Sequence, residues 1–460
     1  MKKLFSLLAI LCLVFVLAAC SGSEKTEKKD EGKKGNSDEE KTEQVTISYS
    51  NWSVGTEEEM NLERLLIQQF QRDYPNIKVE IKEITGDWNE QLAVAASANN
   101  MPDVFALTNM PLGLANDWLL DITVMAENDP DFQNVPQIVR QSTEFNNQTV
   151  AVPHSQSMLG YFVNKDLFNQ ANIDYPTMDS SVEEFAQAIR DITNISEGKI
   201  GTQDAGSIPD WYPAAVNPDL GWYTYNDGSY QLDSKEFIAG VKFATELVTN
   251  GYAYAYLTDE QKANFSGEDG TQVWFAGDMG VKWDGSWAVG GFTENADFDF
   301  DFIGLPGGKV AITNDLLGIS KTTNHPEEAF LFAKYMSYGK EGFMKRMEIA
   351  AENGMVVSGL PINTDQEILD EYFAQAPVPG IRKAYERIDE AILEPFKTVP
   401  GYIQSKWEAP TGVSVGEHDN ATIGQLMDAI LNGQLKIEDY ADQLNKLAND
   451  KYAETMAELQ

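Results

Sequence analysis

Hydrophobic and polar positions alternate at the start of the chain's long apolar-rich part, where residues 45–49 are Val-Thr-Ile-Ser-Tyr. This period of two predicts a half-buried β-strand. Thr56 and Glu59 have the spacing of a capping box, which predicts that a helix begins at Thr56. An apolar stripe at helical spacing follows over 62–70, and Pro75 prevents the helix from continuing.

The next segments continue this alternation of strands and helices. Residues 77–81 alternate as a second strand, 88–97 have a helical pattern, and 104–107 form an apolar run typical of a buried strand. Strand, helix, strand, helix, strand predicts a parallel sheet with helices on its faces, hence an α/β fold. Ligands of such sheets bind beyond the carboxyl ends of the strands, which makes Trp52 and Asn109 candidate contacts. The Trp52 side chain could instead have a structural role and pack against the edge of the sheet.

The rest of the chain is less regular but has several clear segments. An Asn-Asp-Gly turn at 226–228 predicts a β-hairpin over 223–232. The remaining predictions are strands at 150–153 and 160–163, a helix at 182–193, an aromatic-rich loop at 203–224, a helix at 235–250 ended by Gly251, and two helices between 420 and 459 separated near Asn432 and Gly433. Asp297, Asp299 and Asp301 alternate with phenylalanines, which favours a half-buried strand over a calcium loop.

The N-terminal residues indicate an exported protein. Two lysines precede an apolar run at 4–17. This run is too short to span a membrane as a helix and is typical of a signal peptide. It ends in Leu-Ala-Ala-Cys, which resembles a lipoprotein signal that leaves Cys20 as the lipidated first residue. An ordinary secretory signal containing a cysteine is the alternative. We therefore expect a signal at 1–19, and the lipidated cysteine with a disordered tether at 20–44.

The cysteine content and the net charge argue against several classes of site and function. The only other cysteine is Cys12, so the chain after Cys20 can form no disulfide and no thiolate metal site. The 460 residues include 72 acidic and 34 basic side chains, a net charge of -38. Signal (two lysines) and tether (eight acids, six bases) cancel, so this charge belongs to residues 45–460. Such an acidic surface argues against nucleic-acid binding, and 42% hydrophobic residues argue against disorder.

An ordered set of short motifs resembles the extracellular solute-binding proteins of carbohydrate ABC importers, the group that includes maltose-binding protein. The motifs are Pro-Asp-Val-Phe at 102–105, Val-Asn-Lys-Asp-Leu-Phe at 163–168, Asp-Gly at 227–228 leading to Leu-Asp-Ser at 232–234, Phe-Ala-Gly-Asp-Met-Gly-Val at 275–281, Gly-Ser-Trp at 285–287, Ser-Lys-Thr at 320–322 and His-Pro-Glu-Glu-Ala-Phe at 325–330. The resemblance covers nearly all of residues 45–460.

The resemblance implies a two-lobe fold of the periplasmic-binding-protein type. Each lobe would be a mostly parallel sheet flanked by helices, and a hinge of several crossings would let the lobes close on a sugar. By analogy the N-terminal lobe would comprise 45–152 plus 313–370, and the C-terminal lobe 153–312 plus 371–460. A monomer that delivers its ligand to ABC permease subunits is expected, lipid-anchored at the extracytoplasmic face of the cell membrane.

Sugar binding needs aromatic rings for the C–H faces and planar polar groups for the hydroxyls. These two kinds of side chain occur closest together in the stretch 282–287, which has two tryptophans and an aspartate beside a glycine. The predicted contacts are Trp52, Asn109, His154, Gln156, Trp211, Trp283, Asp284, Trp287 and Asn314. Trp287 and Trp407 resemble aromatic contacts of the family. Packing within its own lobe is an equal alternative for Trp211, and one of Trp283 and Trp287 could belong to the core.

The sequence therefore predicts a binding protein for an oligosaccharide, not an enzyme, with no cofactor or metal. It contains no Gly-x-Ser-x-Gly or His-Glu-x-x-His motif and only three histidines. A surface glycoside hydrolase or other glycan-processing lipoprotein is the main alternative, because two carboxylates can hydrolyse a glycosidic bond. A binder of a non-sugar solute, such as a peptide or polyamine, is the other.

Overall fold

A computed structural model of the chain describes residues 44–376 and 378–459. The signal peptide, Cys20 and nearly all of the predicted tether lie outside the described residues. The strands are β1 (Val45–Ser50), β2 (Ile77–Ile81), β3 (Val104–Leu107), β4 (Glu144–Phe145), β5 (Gln148–Thr149), β6 (Val152–Asn164), β7 (Ile200–Thr202), β8 (Met279–Gly285), β9 (Phe300–Phe302), β10 (Ala311–Ile319) and β11 (Ile392–Leu393).

Helices occupy much of the remaining chain. They are α1 (Leu62–Asp73), α2 (Trp88–Ser97), α3 (Met110–Ala115), α4 (Thr123–Glu127), α5 (Gln137–Gln141), α6 (Lys165–Ala171), α7 (Val182–Ile192), α8 (Ile208–Val216), α9 (Lys235–Thr249), α10 (Asp259–Lys262), α11 (Gly270–Phe275), α12 (Val289–Asn295), α13 (Pro326–Tyr335), α14 (Lys340–Asn353), α15 (Gln366–Gln375), α16 (Pro379–Tyr385), α17 (Ile423–Leu431) and α18 (Ala441–Glu458). A short π-helix spans Gln404–Glu408. Among the residues described, no helix is both long and apolar enough to span a bilayer.

The main sheet has the strand order β2-β1-β3-β10-β6-β8-β7, with β11 beside β10 and β9 beside β6. The pairs β1–β2, β1–β3 and β7–β8 are parallel, as the alternation of strands and helices predicts. The long strands β6 and β10 run antiparallel to each other through the middle of the sheet. The structure confirms an α/β fold in which β6 and β10 connect the two ends.

Within the described residues, three buried apolar clusters surround this sheet. One lies around α1, α13 and α14, the second around α7, α8, α9 and α17, and the third around α2 and α3. Tyr49 and Phe162 belong to the first cluster, and Tyr161 belongs to the second. Because Tyr161 and Phe162 are neighbours on β6, their side chains point to opposite faces of the sheet. Strand β6 therefore contributes to the core on both of its faces.

Several predicted segments match the structure closely. The elements β1, β2, α2, β3, α7 and α9 fall within one residue of their predicted limits, and the two C-terminal helices are separated around Asn432 and Gly433. Their boundaries carry strong signals. Ser181 and Glu184 form a complete capping box at α7. Gly251, which follows α9, has a positive φ, as is common for the glycine that ends a helix.

Four predictions are wrong in detail. Helix α1 begins at Leu62 with Asn61 as its cap; the Thr56 amide donates to the Glu59 carboxylate (3.0 Å), but this closes a separate turn. The two strands expected at 150–153 and 160–163 are one strand, β6, because the polar residues between them pair with β10. The strand expected over 297–302 is confined to β9.

The region 203–232 differs most from its prediction. Helix α8 lies within the expected loop; Pro209 is tolerated in its first turn, where backbone amides need no acceptor. The expected hairpin is reduced to a single antiparallel bridge between Asn226 and Ser229. Asp227 and Gly228 do form a turn with positive φ, but Tyr223 and Thr224 are also left-handed (φ +50° and +63°). An extended strand cannot pass through these residues.

Candidate ligand-binding site

Two tryptophans lie at the carboxyl edge of the N-terminal part of the sheet. Trp52 follows β1 and is 43% exposed, and its ring meets that of Trp88 edge to face with centroids 5.3 Å apart. The Trp88 indole donates to the carbonyl of Ala106 (3.0 Å), which fixes the ring at the end of β3. Asn51 caps the turn that carries Trp52 by accepting from the Ser53 amide. The predicted contact Trp52 is therefore an exposed ring with a fixed neighbour.

Asn109 connects this edge to a distant segment of the chain. Its side-chain oxygen caps α3 by accepting from the Leu112 amide (3.0 Å), while its Nδ2 donates to the carbonyl of Phe396 (3.1 Å). The Met110 amide donates to the carbonyl of Lys397 (2.8 Å), so two bonds hold the segment 396–397 against α3. The Phe396 ring lies 5.9 Å from that of Trp407. Phe396 thus connects Asn109 to Trp407, an aromatic residue of the π-helix.

A cavity of about 390 Å³ opens beside Trp407. Helix α8, the turn before it, the π-helix and α17 supply most of its walls. The lining residues include Asp204, Ser207, Asp210, Tyr223, Tyr256, Trp283, Lys406, Trp407 and Asp428. Aromatic faces together with carboxylates and hydroxyls are the groups that sugar binding requires. We call this space the aromatic cavity.

An ion pair lies at the base of the aromatic cavity. The Lys406 ammonium is 2.5 Å from a carboxylate oxygen of Asp210. Asp210 is buried, and Lys406 is partly buried. The same ammonium lies 4.6 Å from the ring centre of Trp407 and 5.3 Å from that of Tyr223. Cation–π attraction acts at such distances. Burial raises the pKa of Asp210, and the charge of Lys406 counteracts this in part. Lys406 therefore holds both a carboxylate and an exposed ring in place.

The stretch 282–287 lies partly in the aromatic cavity. Trp283 packs on Tyr161 (5.1 Å) and Trp222 (6.2 Å), and the rest of its ring lines the cavity. Asp284 is bound to the buried Lys282 ammonium (3.1 Å). Trp287 is 49% exposed and covers Gly285, where a Cβ atom would overlap the indole. Of the two tryptophans, Trp283 contributes to both packing and lining, and Trp287 presents a free face.

Trp211 occupies a different position from the other predicted tryptophans. It is fully buried in the cluster around α8, and its indole donates to the Tyr161 hydroxyl (3.2 Å). Its ring meets that of Tyr161 edge to face. In this conformation Trp211 supports Tyr161, which in turn packs against Trp283.

His154, Gln156 and Asn314 lie together on the two central strands. Gln156 and Asn314 are register partners on β6 and β10, and all three side chains are buried. His154 Nε2 is 3.2 Å from the Asn51 amide nitrogen, which makes this ring nitrogen the acceptor, and burial lowers the pKa of His154. Within residues 44–376 and 378–459, the Gln156 amide, His154 Nδ1 and Asn314 Oδ1 have no hydrogen-bond partner.

A second cavity, of about 270 Å³, adjoins His154. The ion pair between Glu63 and Arg346 lines it, as does Asp315, which is paired with Lys397. Among the described residues that line it there is no tryptophan or tyrosine. Of the predicted contacts, Trp283 lines the first cavity and His154 the second. Trp52 and Asn109 lie at the sheet edge, and Gln156 and Asn314 are buried on the central strands.

Several residues of the aromatic cavity were not predicted from the sequence. Asp204, Asp210, Tyr256 and Lys406 come from segments that are far apart in the chain, and no local motif marks them. One signal was available for Lys406, which immediately precedes Trp407. The rest become neighbours only when α8 packs beside the π-helix.

Comparisons with known proteins give a consistent result. A model of the family of bacterial extracellular solute-binding proteins matches residues 55–337. An ABC transporter extracellular-binding protein of Pyrococcus horikoshii is 23% identical over 356 residues, covering 73% of this chain and 76% of the relative.

Solved structures with the same fold cover nearly the whole chain. An ABC substrate-binding protein of Listeria monocytogenes in complex with cycloalternan has a TM-score of 0.66 and 21% identity, covering 90% of this chain and all of the other. The cyclic α-maltosyl-1,6-maltose binding protein of Arthrobacter globiformis has a TM-score of 0.65 and 17% identity, covering 89% of this chain and all of the other.

Proposed function

Because the chain belongs to the family of bacterial extracellular solute-binding proteins, we propose that it captures an oligosaccharide for an ABC importer. The family predicted from the sequence motifs is confirmed, and its members are binding proteins that act outside the cytoplasm. The oligosaccharide, the site and the membrane anchor are our proposals for this chain.

The aromatic cavity is the observation that carries the proposal. Trp283, Trp407 and Tyr256 give it ring faces for stacking, and Asp204 and Asp210 give it planar acceptors for hydroxyls. Its volume is of the size that is usual for small-molecule sites, a few hundred cubic ångströms or more. One solved structure with the same fold is a complex with cycloalternan, and another is named for cyclic α-maltosyl-1,6-maltose, which supports the same class of ligand here.

The ligand would lie between two lobes with the limits predicted from the sequence, 45–152 plus 313–370 and 153–312 plus 371–460. Trp52 and Asn109 would act from the first lobe, and Trp283, Asp284, Trp287 and Trp407 from the second. Closure would follow binding, because a ligand shifts an equilibrium only by its difference in affinity for the two states. His154, Gln156 and Asn314 would act at the crossing strands, with Trp211 as a support.

A titration of tryptophan emission with a panel of neutral oligosaccharides tests the proposal. Trp52, Trp287 and Trp407 are partly exposed, so stacking of a sugar on any of them should change the emission. Binding should also raise the melting temperature as the ratio of ligand concentration to Kd increases. A panel without any change in emission or melting temperature would contradict oligosaccharide binding.

The glycoside hydrolase alternative needs a separate measurement. Burial raises the pKa of Asp210 and also that of Glu394, the second to about 7. An acid that remains protonated near neutral pH can donate to a glycosidic oxygen. Incubation of the protein with the oligosaccharide it binds, followed by product analysis, distinguishes the two functions. We expect intact ligand; cleavage that is abolished by Glu394→Gln would establish the hydrolase instead.

Delivery to permease subunits and anchoring through Cys20 complete the proposed function. Cys20→Ser should release the protein from membranes and abolish incorporation of labelled palmitate, while the affinity for sugar stays unchanged. Retention of the variant in the membrane fraction would contradict the anchor. Stimulation of a co-purified permease ATPase by the sugar-loaded protein, and not by the empty protein, tests delivery.

A further inference from the structure

The charges of the aromatic cavity are unbalanced. Its charged lining residues are Asp204, Asp210 and Asp428 against the single ammonium of Lys406. Lys406 is fully engaged with Asp210, at 2.5 Å. Two carboxylates therefore line the cavity in excess of its cations.

Neither of the two other carboxylates has a cation of its own. In the part of the chain that the structure describes, Asp204 and Asp428 form no ion pair. Asp204 accepts from the backbone amide of Gly206 (2.9 Å). Burial raises the pKa of Asp204, and the charge of the Lys282 ammonium counteracts this in part. This ammonium is, however, bound to Asp284 (3.1 Å) and to Gln203 (2.8 Å).

Tyr256 lies within the influence of both carboxylates. Burial raises the pKa of its hydroxyl to about 12, and the charges of Asp204 and Asp428 add to the effect. Aromatic faces attract cations, most strongly those of tryptophan and tyrosine. A cation between these groups would therefore meet negative charge from two carboxylates and from the ring quadrupoles of Tyr256 and Trp283.

A buried hydroxyl in the wall of the cavity also lacks a hydrogen-bond partner. Tyr223 lines the cavity, is 2% exposed, and its hydroxyl has no hydrogen-bond partner among residues 44–376 and 378–459. A buried hydroxyl without a partner destabilises the folded state. The backbone of Tyr223 is also left-handed. Residues other than glycine adopt this conformation mainly where the surrounding structure imposes it. The side chain is thus fixed at the cavity with its hydrogen-bonding capacity unused.

From this arrangement we propose that the oligosaccharide carries a free amino group, so that the substrate class is basic sugars such as glucosamine oligomers. The ammonium would bind between Asp204 and Asp428, and the sugar rings would stack on Trp283 and Trp407. The proposal rests on the proposed function, since it names the kind of sugar that the same cavity takes.

A matched ligand series tests the proposal. The probes are a glucosamine oligomer of about four sugars, its fully N-acetylated counterpart and a malto-oligosaccharide of equal length, titrated against the full chain. The titrations are made at about pH 6, roughly two units below the usual pKa of an α-amino group. The amino groups of the glucosamine oligomer are then charged. We expect the glucosamine oligomer to bind at least about tenfold more tightly than the other two. Its affinity should fall as salt increases, because screening weakens attraction between charges.

Substitutions separate the role of charge from that of packing. Asp204→Asn and Asp428→Asn keep the shape of each side chain and should each weaken glucosamine-oligomer binding by at least about fivefold. Affinity for the malto-oligosaccharide should fall by less, because asparagine keeps a planar acceptor for hydroxyls but carries no charge. Asp174→Asn, at an exposed aspartate outside the cavity, is the matched control and should leave both affinities unchanged.

The outcomes separate this proposal from the proposed function. Equal or tighter binding of the N-acetylated or malto-oligosaccharide would overturn the basic-sugar proposal and leave the oligosaccharide binder intact. Binding of spermidine, but of no sugar, would overturn both. Tight glucosamine-oligomer binding that is insensitive to both substitutions would overturn the assignment of Asp204 and Asp428.

Discussion

The Asn109 side chain donates to the main-chain carbonyl of Phe396 across 287 positions of sequence, at 3.1 Å. The same amide group caps α3 through its oxygen, so one side chain orients a helix and holds a distant segment. Phe396 in turn packs against Trp407, which lines the aromatic cavity. A residue that follows β3 thereby influences the position of a ring contributed by the last quarter of the chain.

Asn109→Asp should weaken ligand binding while leaving α3 intact. A carboxylate can still accept from the Leu112 amide, but it cannot donate to the Phe396 carbonyl and would repel its oxygen. We expect roughly tenfold lower affinity in a fluorescence titration, with helix content unchanged by circular dichroism. Asn109→Ala, which loses the cap as well, should also lower the free energy of unfolding by about 1 kcal/mol.

Trp287→Ala should lose affinity without loss of folding. The ring is half exposed, so its removal leaves no cavity in the core. The free energy of unfolding should change by no more than about 0.5 kcal/mol. Loss of one stacking face should lower affinity by about tenfold. The matched control is Trp274→Ala, at a fully buried ring, and this change should cost about 3–5 kcal/mol. An affinity within error of wild type would remove Trp287 from the site.

Gly285→Ala tests the position of the Trp287 ring rather than its presence. The backbone at Gly285 (φ -101°) accepts alanine, but the new methyl group would overlap the indole, which must move. We expect a shift of the emission maximum and an affinity between those of wild type and Trp287→Ala. Unchanged emission together with unchanged affinity would mean that the ring does not rest on Gly285 in solution.

The sequence was sufficient for the elements whose signals are local. Helix α7 has a complete capping box, and β2 alternates between buried and exposed residues along most of its length. It was insufficient where tertiary packing overrides a local signal. Prolines and scattered aromatic residues are typical of a loop at 203–224, yet Pro209 stands where a helix does not need its amide, and α8 forms because its apolar side is buried.

The candidate site could be predicted only through its aromatic residues. Trp52, Trp283, Trp287 and Trp407 are conspicuous in the sequence because they are large, few and close to recognisable segments. The acidic residues of the cavity are not, because a chain with 72 carboxylates gives no reason to select Asp204 or Asp210. Their role depends on which of them loses water on folding and which finds a cation, and both properties are set by packing.

Lys406→Met should destabilise the fold more than the partial exposure of the Lys406 side chain would suggest. The change leaves the buried Asp210 carboxylate without its cation. Breaking such a pair costs about 3–5 kcal/mol. Asp210→Asn combined with Lys406→Met removes both charges and should recover more than half of the loss. Urea denaturation of the two single variants, the double variant and wild type gives the coupling energy. Additive effects would show that the two groups do not interact.

Glu394 should make the protein less stable as the pH rises toward neutrality. Burial raises the pKa of its carboxyl from 4.5 to about 7, while the nearby ammonium groups of Lys406 and Lys397 lower it only in part. Between these two values the folded state binds more protons than the unfolded state, so the free energy of unfolding decreases with increasing pH. The contribution of Glu394 should be present below about pH 4.5 and be lost through about pH 7, with a total of at most about 3 kcal/mol.

Glu394→Gln isolates this contribution, because glutamine keeps the hydrogen bond from the Phe396 amide (2.8 Å) without a titrating group. The difference in unfolding free energy between the variant and wild type should change between about pH 5 and 7, in favour of the variant at the higher pH. Glu390→Gln, at an exposed residue of the same segment, should parallel wild type throughout. If the Glu394→Gln curve also parallels wild type, the Glu394 carboxyl does not titrate in this range, and its burial has no effect on stability near neutral pH.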